Sequence, residues 1–268
     1  MYPQLGLRFR GNNKGFREII ATGGAVSGPS AAGEYRYHRF ISNGTFTLDV
    51  RGTIEYLVVG GGGGGGKGWG GAAGGVLTGE QFLEAGTYSV VIGSGGRGAT
   101  GRPVFTSNRM LPSVSGGYSS FNSTSRSNGG SGGDQGGQSG NGYVRGTATG
   151  GGGGGGSGQV GSGYKGGNGT YLPDWASATG TGVSGWYAGG GGGSGGTAAR
   201  GKRGGGGAGG GGSGGLTVGE NDNFWPTAAV ARTGSGGGAG FGGYENRHIA
   251  GAYGASGLVI VRYRIYKP

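Results

Sequence analysis

Ile54-Glu-Tyr-Leu-Val-Val59 runs directly into seven glycines at residues 60–66. Near the other end of the chain Leu258-Val-Ile-Val-Arg-Tyr263 closes a belt that holds nearly all of the 84 glycines in 268 residues. A glycine tract without apolar ends reads as linker. Ordering its backbone costs about 1–2 kcal/mol per residue and it has little to bury in return. Ends that pair as β-strands instead make the belt an insert in a folded domain, with a flexible glycine coil as the competing reading.

Further strands flank these ends. Tyr35-Arg-Tyr-His-Arg-Phe-Ile41 and Thr45-Phe-Thr-Leu-Asp-Val50 alternate around the turn Ser42-Asn43-Gly44, and Thr87-Tyr-Ser-Val-Val-Ile92 adds another strand. Strands over about 35–59, 87–93 and 257–264 predict an all-β fold with an antiparallel β-sandwich or jelly-roll-like portion. No stretch carries a long 3.6-residue period, so little or no α-helix is expected. The expected organisation is an N-terminal arm or attachment segment over residues 1–33, then a glycine-rich β domain over 34–268 with its insert at about 60–256.

Within the insert, glycine runs at 150–156, 189–193, 204–207, 209–212 and 236–238 alternate with short stretches that carry side chains. Glycine readily takes the extended three-fold helix, which rises about 3.1 Å per residue and points its peptide groups outward. Backbones without Cβ atoms approach closely enough for N–H···O=C bonds between rods, supplemented by Cα–H···O contacts of about 0.5–1 kcal/mol each. The expectation is a bundle of polyglycine type II helices, a core made of peptide groups.

Composition excludes several classes. Seven prolines and no strict Gly-X-Y repeat rule out collagen, the absence of cysteine rules out disulfides and thiolate metal sites, and His38 and His248 are too few for a metal cluster. Residues 61–66 satisfy the G-x-G-x-x-G pattern trivially. No helix is expected after them, and Gly66-Lys67 continues into Gly68 rather than Ser or Thr, so no nucleotide site is expected. The eleven carboxylates define no acid–base pair, and neither histidine lies in a nucleophile pattern. The protein is therefore expected to be non-enzymatic, without cofactor or metal. No window approaches about 18 apolar residues and the first ten residues lack an apolar run, so the chain is expected to be made in a cytoplasm and to act outside the cell by another export route.

A formal charge of +11 and a pI near 10.0 favour anionic partners such as lipopolysaccharide phosphates, acidic glycans or nucleic acid. Arg8, Phe9, Arg10 and Phe16 are the candidate attachment residues of the arm. Aromatics concentrate where the glycine runs are interrupted, and Phe105, Tyr171, Trp175, Trp186, Tyr187, Phe224, Trp225 and Tyr244 are the candidate receptor-binding residues. Such rings stack on sugar faces while neighbouring Asn, Asp and Arg bond hydroxyls, and loops at the ends of stacked rods would form an adhesive tip. The alternative role for each ring is to seal the glycine stack. Arg200-Gly-Lys-Arg203 reads as a solvated basic turn. Nucleic-acid binding is a second class, disfavoured because Arg203-Gly-Gly205 is the one clear Arg-Gly-Gly unit. A flat ice-binding face is a third, which the bulky interruptions spoil.

The ordered set Phe46-Thr-Leu-Asp-Val50, Glu55-Tyr-Leu-Val-Val-Gly60, Tyr88-Ser-Val-Val-Ile-Gly-Ser-Gly-Gly96 and Ser256-Gly-Leu-Val-Ile-Val-Arg-Tyr263 resembles the glycine-rich domain of bacteriophage tail-fibre and adhesin proteins, over about residues 35–264. It is also similar to the glycine-rich ectodomain of the anaplastic lymphoma kinase receptor family, from which the chain departs in lacking cysteines and, by expectation, a signal peptide and a membrane span. The resemblance implies a virion tail protein, either a fibre or tail-tip adhesin or a purely structural tail component. It would attach to other tail or fibre proteins through its N-terminus, as a homo-oligomer or part of a larger assembly. Its distal loops would contact a bacterial surface glycan, lipopolysaccharide or outer-membrane protein.

Overall fold

The computed structural model describes residues 19–28, 34–101, 110–135, 137–147, 151–195, 202–217, 223–242 and 248–265. Seven strands come first: β1 (Ala21–Thr22), β2 (Ala25–Ser27), β3 (Tyr35–Phe40), β4 (Gly44–Leu48), β5 (Gly52–Val59), β6 (Val76–Leu83) and β7 (Gly86–Val91). With Ser119–Phe121, Ser125–Ser127 and Leu258–Arg264 they form two five-stranded antiparallel sheets. One sheet runs β1, β4, β7, Ser119–Phe121, Ser125–Ser127; the other runs β2, β3, Leu258–Arg264, β5, β6.

The sheets pack face to face. Phe46, Leu48, Val90 and Phe121 of the first meet Ile54, Tyr56, Val58, Val259, Val261 and Tyr263 of the second. Side chains alternate across a strand, so Leu57 and Val59 of β5 fall on the outer face of the second sheet. That face is buried as well, with Leu57, Val59, Leu258 and Ile260 under Trp175, Ala176 and Tyr187. Burial on both faces explains why Ile54–Val59 is nearly apolar throughout instead of alternating.

One feature departs from the sequence reading, while the small helix content agrees with it. β1 and β2, inside the span expected to be an arm, are edge strands of the two sheets, and the chain crosses between them at Gly23 and Gly24, with φ of 108° and 63°. Their residues are short and weakly apolar, so they carry no periodic signal. A single helix among the described residues, α1 (Pro173–Thr179), begins with Pro at its first turn and stops at Gly180 in the left-handed conformation, φ 62°.

The glycine belt forms rods that extend from one end of the sandwich. Residues 60–66 are the central rod. Its amides donate in turn to three neighbours: Gly60, Gly63 and Gly66 to Gly75, Ala72 and Trp69 at 2.9, 2.8 and 2.7 Å; Gly61 and Gly64 to Gly117 and Val114 at 2.9 and 3.0 Å; Gly62 and Gly65 to Ala255 and Ala252 at 2.8 and 2.9 Å. Its carbonyls accept from three others: Gly61 and Gly64 from Gly130 and Gly133, Gly62 and Gly65 from Gly96 and Ala99, Gly63 and Gly66 from Gly237 and Gly240. The three-residue period is that of the polyglycine II helix.

The six neighbours bond to one another in a closed ring, through Gly117 to Ser94, Gly116 to Gly130, Ala72 to Ser131, Gly71 to Gly237, Ala252 to Gly238 and Gly254 to Gly96. The packing is hexagonal, with every peptide direction of the central rod used. A Cβ on any of residues 60–66 would fall inside 3.0 Å of a neighbouring atom, in six of the seven cases a backbone carbonyl. Real side chains do not fit at that distance, which is why the run is uninterrupted.

The molecule is polar from end to end. β5 runs from Gly52, which lies against Ile19, to Val59, where the central rod begins. The N-terminal strand β1 therefore joins the sandwich at the end remote from the rods, and Leu258–Arg264 runs back toward that end. Eight strand residues and seven rod residues place the tip of the central rod about 45 Å from Gly52.

Candidate functional site

At the tip, Lys67 and Gly68 turn the chain from the rod at 60–66 into the rod at 69–75. Gly68 has φ 81°, and its carbonyl accepts the amides of Gly152 at 3.2 Å and Ser194 at 2.9 Å, so three rod ends meet there. Asp134, on the short 3-10 turn Gly133–Gln135, accepts the Lys67 amide at 2.9 Å and the Ser113 amide at 3.1 Å. Its own amide donates to Ser113 Oγ at 3.0 Å. One carboxylate thus satisfies backbone donors that two rod ends leave open.

Arg145 lies 3.9 Å above the Trp69 ring and donates to the Gly133 carbonyl at 3.0 Å. Arg203 lies 4.6 Å above the Phe224 ring. Trp225, beside it, is 67% exposed. Lys67, Lys165, Lys202 and Arg203 are exposed on the ends of adjoining rods, tied by the backbone pairs Ser162 with Lys165, Ser194 with Arg203 and Gly195 with Lys202. Among the described residues none of these cations meets a carboxylate; the ion pair Arg262–Glu55 lies on the sandwich. The short hairpins Thr100–Gly101 with Met110–Leu111, Leu216–Thr217 with Asn223–Phe224, and Phe241–Gly242 with His248–Ile249 close other rods at this same end.

The structure splits the expected receptor-binding residues between two ends. Phe224 and Trp225 are at the tip. Tyr171, Trp175, Trp186 and Tyr187 belong to the hairpin Thr170–Tyr171 with Trp186–Tyr187 and to α1 between its arms, at the sandwich end of the bundle. Trp175 and Tyr187 are buried against the second sheet and act as the seal. Trp175 meets Tyr37 edge-on at 6.1 Å, and Arg262 lies 4.2 Å over its ring and 4.3 Å over Tyr35 while donating to Glu55 at 2.5 and 2.9 Å. The Tyr187 hydroxyl pairs with Thr181 at 2.6 Å, and burial pushes its phenol above the ordinary value of 10.0 in spite of that bond. Tyr171 is exposed and packs at a tilt against the half-buried Trp186, ring centroids 4.9 Å apart.

Phe105 and Tyr244, and the attachment candidates Arg8, Phe9, Arg10 and Phe16, lie outside the described residues. Sequence reading passed over Trp69, Arg145 and Lys67. The signal for Lys67 and Trp69 is that Lys67-Gly-Trp69 puts two large side chains between two glycine runs; Arg145 carries none.

His38 is remote from the tip, fully buried between Phe46 and Tyr263. Its Nδ1 donates to the Gly23 carbonyl at 2.7 Å. Desolvation holds its pKa below 6.5 despite that bond, with Arg36 acting in the same direction as the burial. Among the described residues no group of three or more His, Asp or Glu is placed to hold a metal ion.

Residues 41–264 match the family model described as glycine-rich domain, a span covering most of the sandwich and all of the rods. No curated protein matches the chain.

Proposed function

The chain belongs to the glycine-rich domain family, and from that premise we propose that it is a non-enzymatic phage tail protein, a tail fibre or tail-tip adhesin. It is held to the tail through its N-terminal segment and meets the host cell surface with the far end of its glycine bundle. The observation that carries this reading is the polarity of the molecule. Ile19 and the first described strand, β1, lie at one pole, and the exposed cations and the exposed Trp225 sit at the other. A hydrogen-bonded rod bundle between the poles transmits contact force without the compliance of a linker.

Electron microscopy of the intact particle, with the chain labelled at its N-terminus, tests the placement. The label is expected at the junction with the tail and the bundle outermost. Soluble protein should block adsorption of the particle to its host, and the Arg203→Gln/Trp225→Ala variant should block it poorly while melting like the parent. A chain buried inside the particle, or equal blocking by the variant, would overturn the reading.

A further inference from the structure

Resting on that reading, we propose that the tip binds an anionic polysaccharide. The cations at the tip form two groups that meet around Gly68: Lys67 and Arg145 on one side, Lys165, Lys202 and Arg203 on the other. Asp134 is the acidic side chain among the described residues there, and both of its oxygens are already taken by the amides of Lys67 and Ser113. The positive charge of the tip is therefore not balanced from within the described structure.

Two arginines are pre-positioned. Arg145 is stacked on Trp69 and tethered to Gly133, and Arg203 is stacked on Phe224. A stacked guanidinium loses little side-chain freedom on meeting an anion and keeps N–H donors at its edge for the oxygens of a carboxylate or phosphate. Trp225, with no stacking partner among the described residues, presents an exposed ring to a sugar face. Nucleic acid fits less well. Binding a single strand calls for a groove with successive free ring faces, whereas Trp69 and Phe224 each carry an arginine over one face.

Titrate the full-length protein with polygalacturonate, with phosphomannan, with neutral dextran and with a single-stranded DNA oligonucleotide. Repeat with the Lys165→Gln/Lys202→Gln/Arg203→Gln variant and with Arg51→Gln, an exposed arginine beside β5 at the opposite pole. Binding to one or both acidic polysaccharides is expected, and which one distinguishes carboxylate from phosphate recognition. Affinity should fall about tenfold or more between about 0.05 M and about 0.5 M salt, and by about tenfold in the triple variant at low salt, with Arg51→Gln unchanged. Equal binding to dextran, tighter binding to DNA, no binding to either polyanion, or an unaffected triple variant would overturn the proposal. If polyanion binding fails while soluble protein still blocks adsorption through its tip, the ligand class falls and the adhesin reading stands. If polyanions bind at the tip and adsorption is not blocked, the ligand class stands and the adhesin reading falls.

Discussion

Gly63 donates its amide to the carbonyl of Ala72 across 2.8 Å, and a Cβ on Gly63 would fall inside 3.0 Å of the Ser131 carbonyl. The bond and the exclusion have one cause, since rods that share peptide bonds on all sides leave no room for a methyl group. Gly63→Ala should therefore destabilise the protein by about 2–3 kcal/mol or more, by overpacking. Gly205 is the internal control, because a Cβ there meets nothing within 4 Å. Gly205→Ala should be neutral or slightly stabilising, by up to about 1 kcal/mol. Equilibrium denaturation of the two variants checks the contrast.

Trp175 and Trp225 separate sealing from display. Trp175 is 7% exposed against 67% for Trp225. Trp175→Ala should cost about 3–5 kcal/mol by emptying the cluster over the second sheet. Trp225→Ala should change stability by less than about 0.5 kcal/mol. Thermal melts read the first effect, and adsorption blocking reads the loss at Trp225.

The pH dependence of stability follows from His38. Unfolded, its imidazole titrates near 6.5; folded, burial between Phe46 and Tyr263 holds the value lower. The unfolded chain therefore binds more protons below pH 6.5. Stability from this site is full above that pH and is lost as pH falls toward the folded value. Melting temperature should decline on acidification from pH 7 toward 5, and His38→Gln should flatten that decline.

Asp134→Ala removes the acceptor for the Lys67 and Ser113 amides. The expected cost is about 1–2 kcal/mol, comparable to losing a helix cap. Asp134→Asn keeps one acceptor oxygen and should recover part of it. Chemical denaturation distinguishes the two.

The sandwich was largely legible because Ile54–Val59, Tyr35–Phe40 and Leu258–Arg264 carry apolar side chains whose spacing encodes burial. The rods were legible as a class, since a run such as residues 60–66 packs on all sides only if it is all glycine. Their polarity was not. Each rod reverses the chain, so the end at which an interruption emerges depends on the number and length of the rods before it, and glycine runs encode neither. Tyr171 to Tyr187 consequently lands on the sandwich while Phe224 and Trp225 land on the tip. Lys67, Trp69 and Arg145 were missed for the related reason that what unites them is the register of rods, set by backbone bonds alone.

Amide hydrogen exchange at residues 60–66 tests the central claim, that the glycine belt is a folded core of peptide groups, most directly. Every amide of this run donates to another rod at 2.7–3.0 Å. Their exchange should be slowed to the same degree as that of β5 and Leu258–Arg264, through opening of the whole domain. Exchange at the rate of an unstructured glycine peptide, with the sandwich still protected, would contradict it.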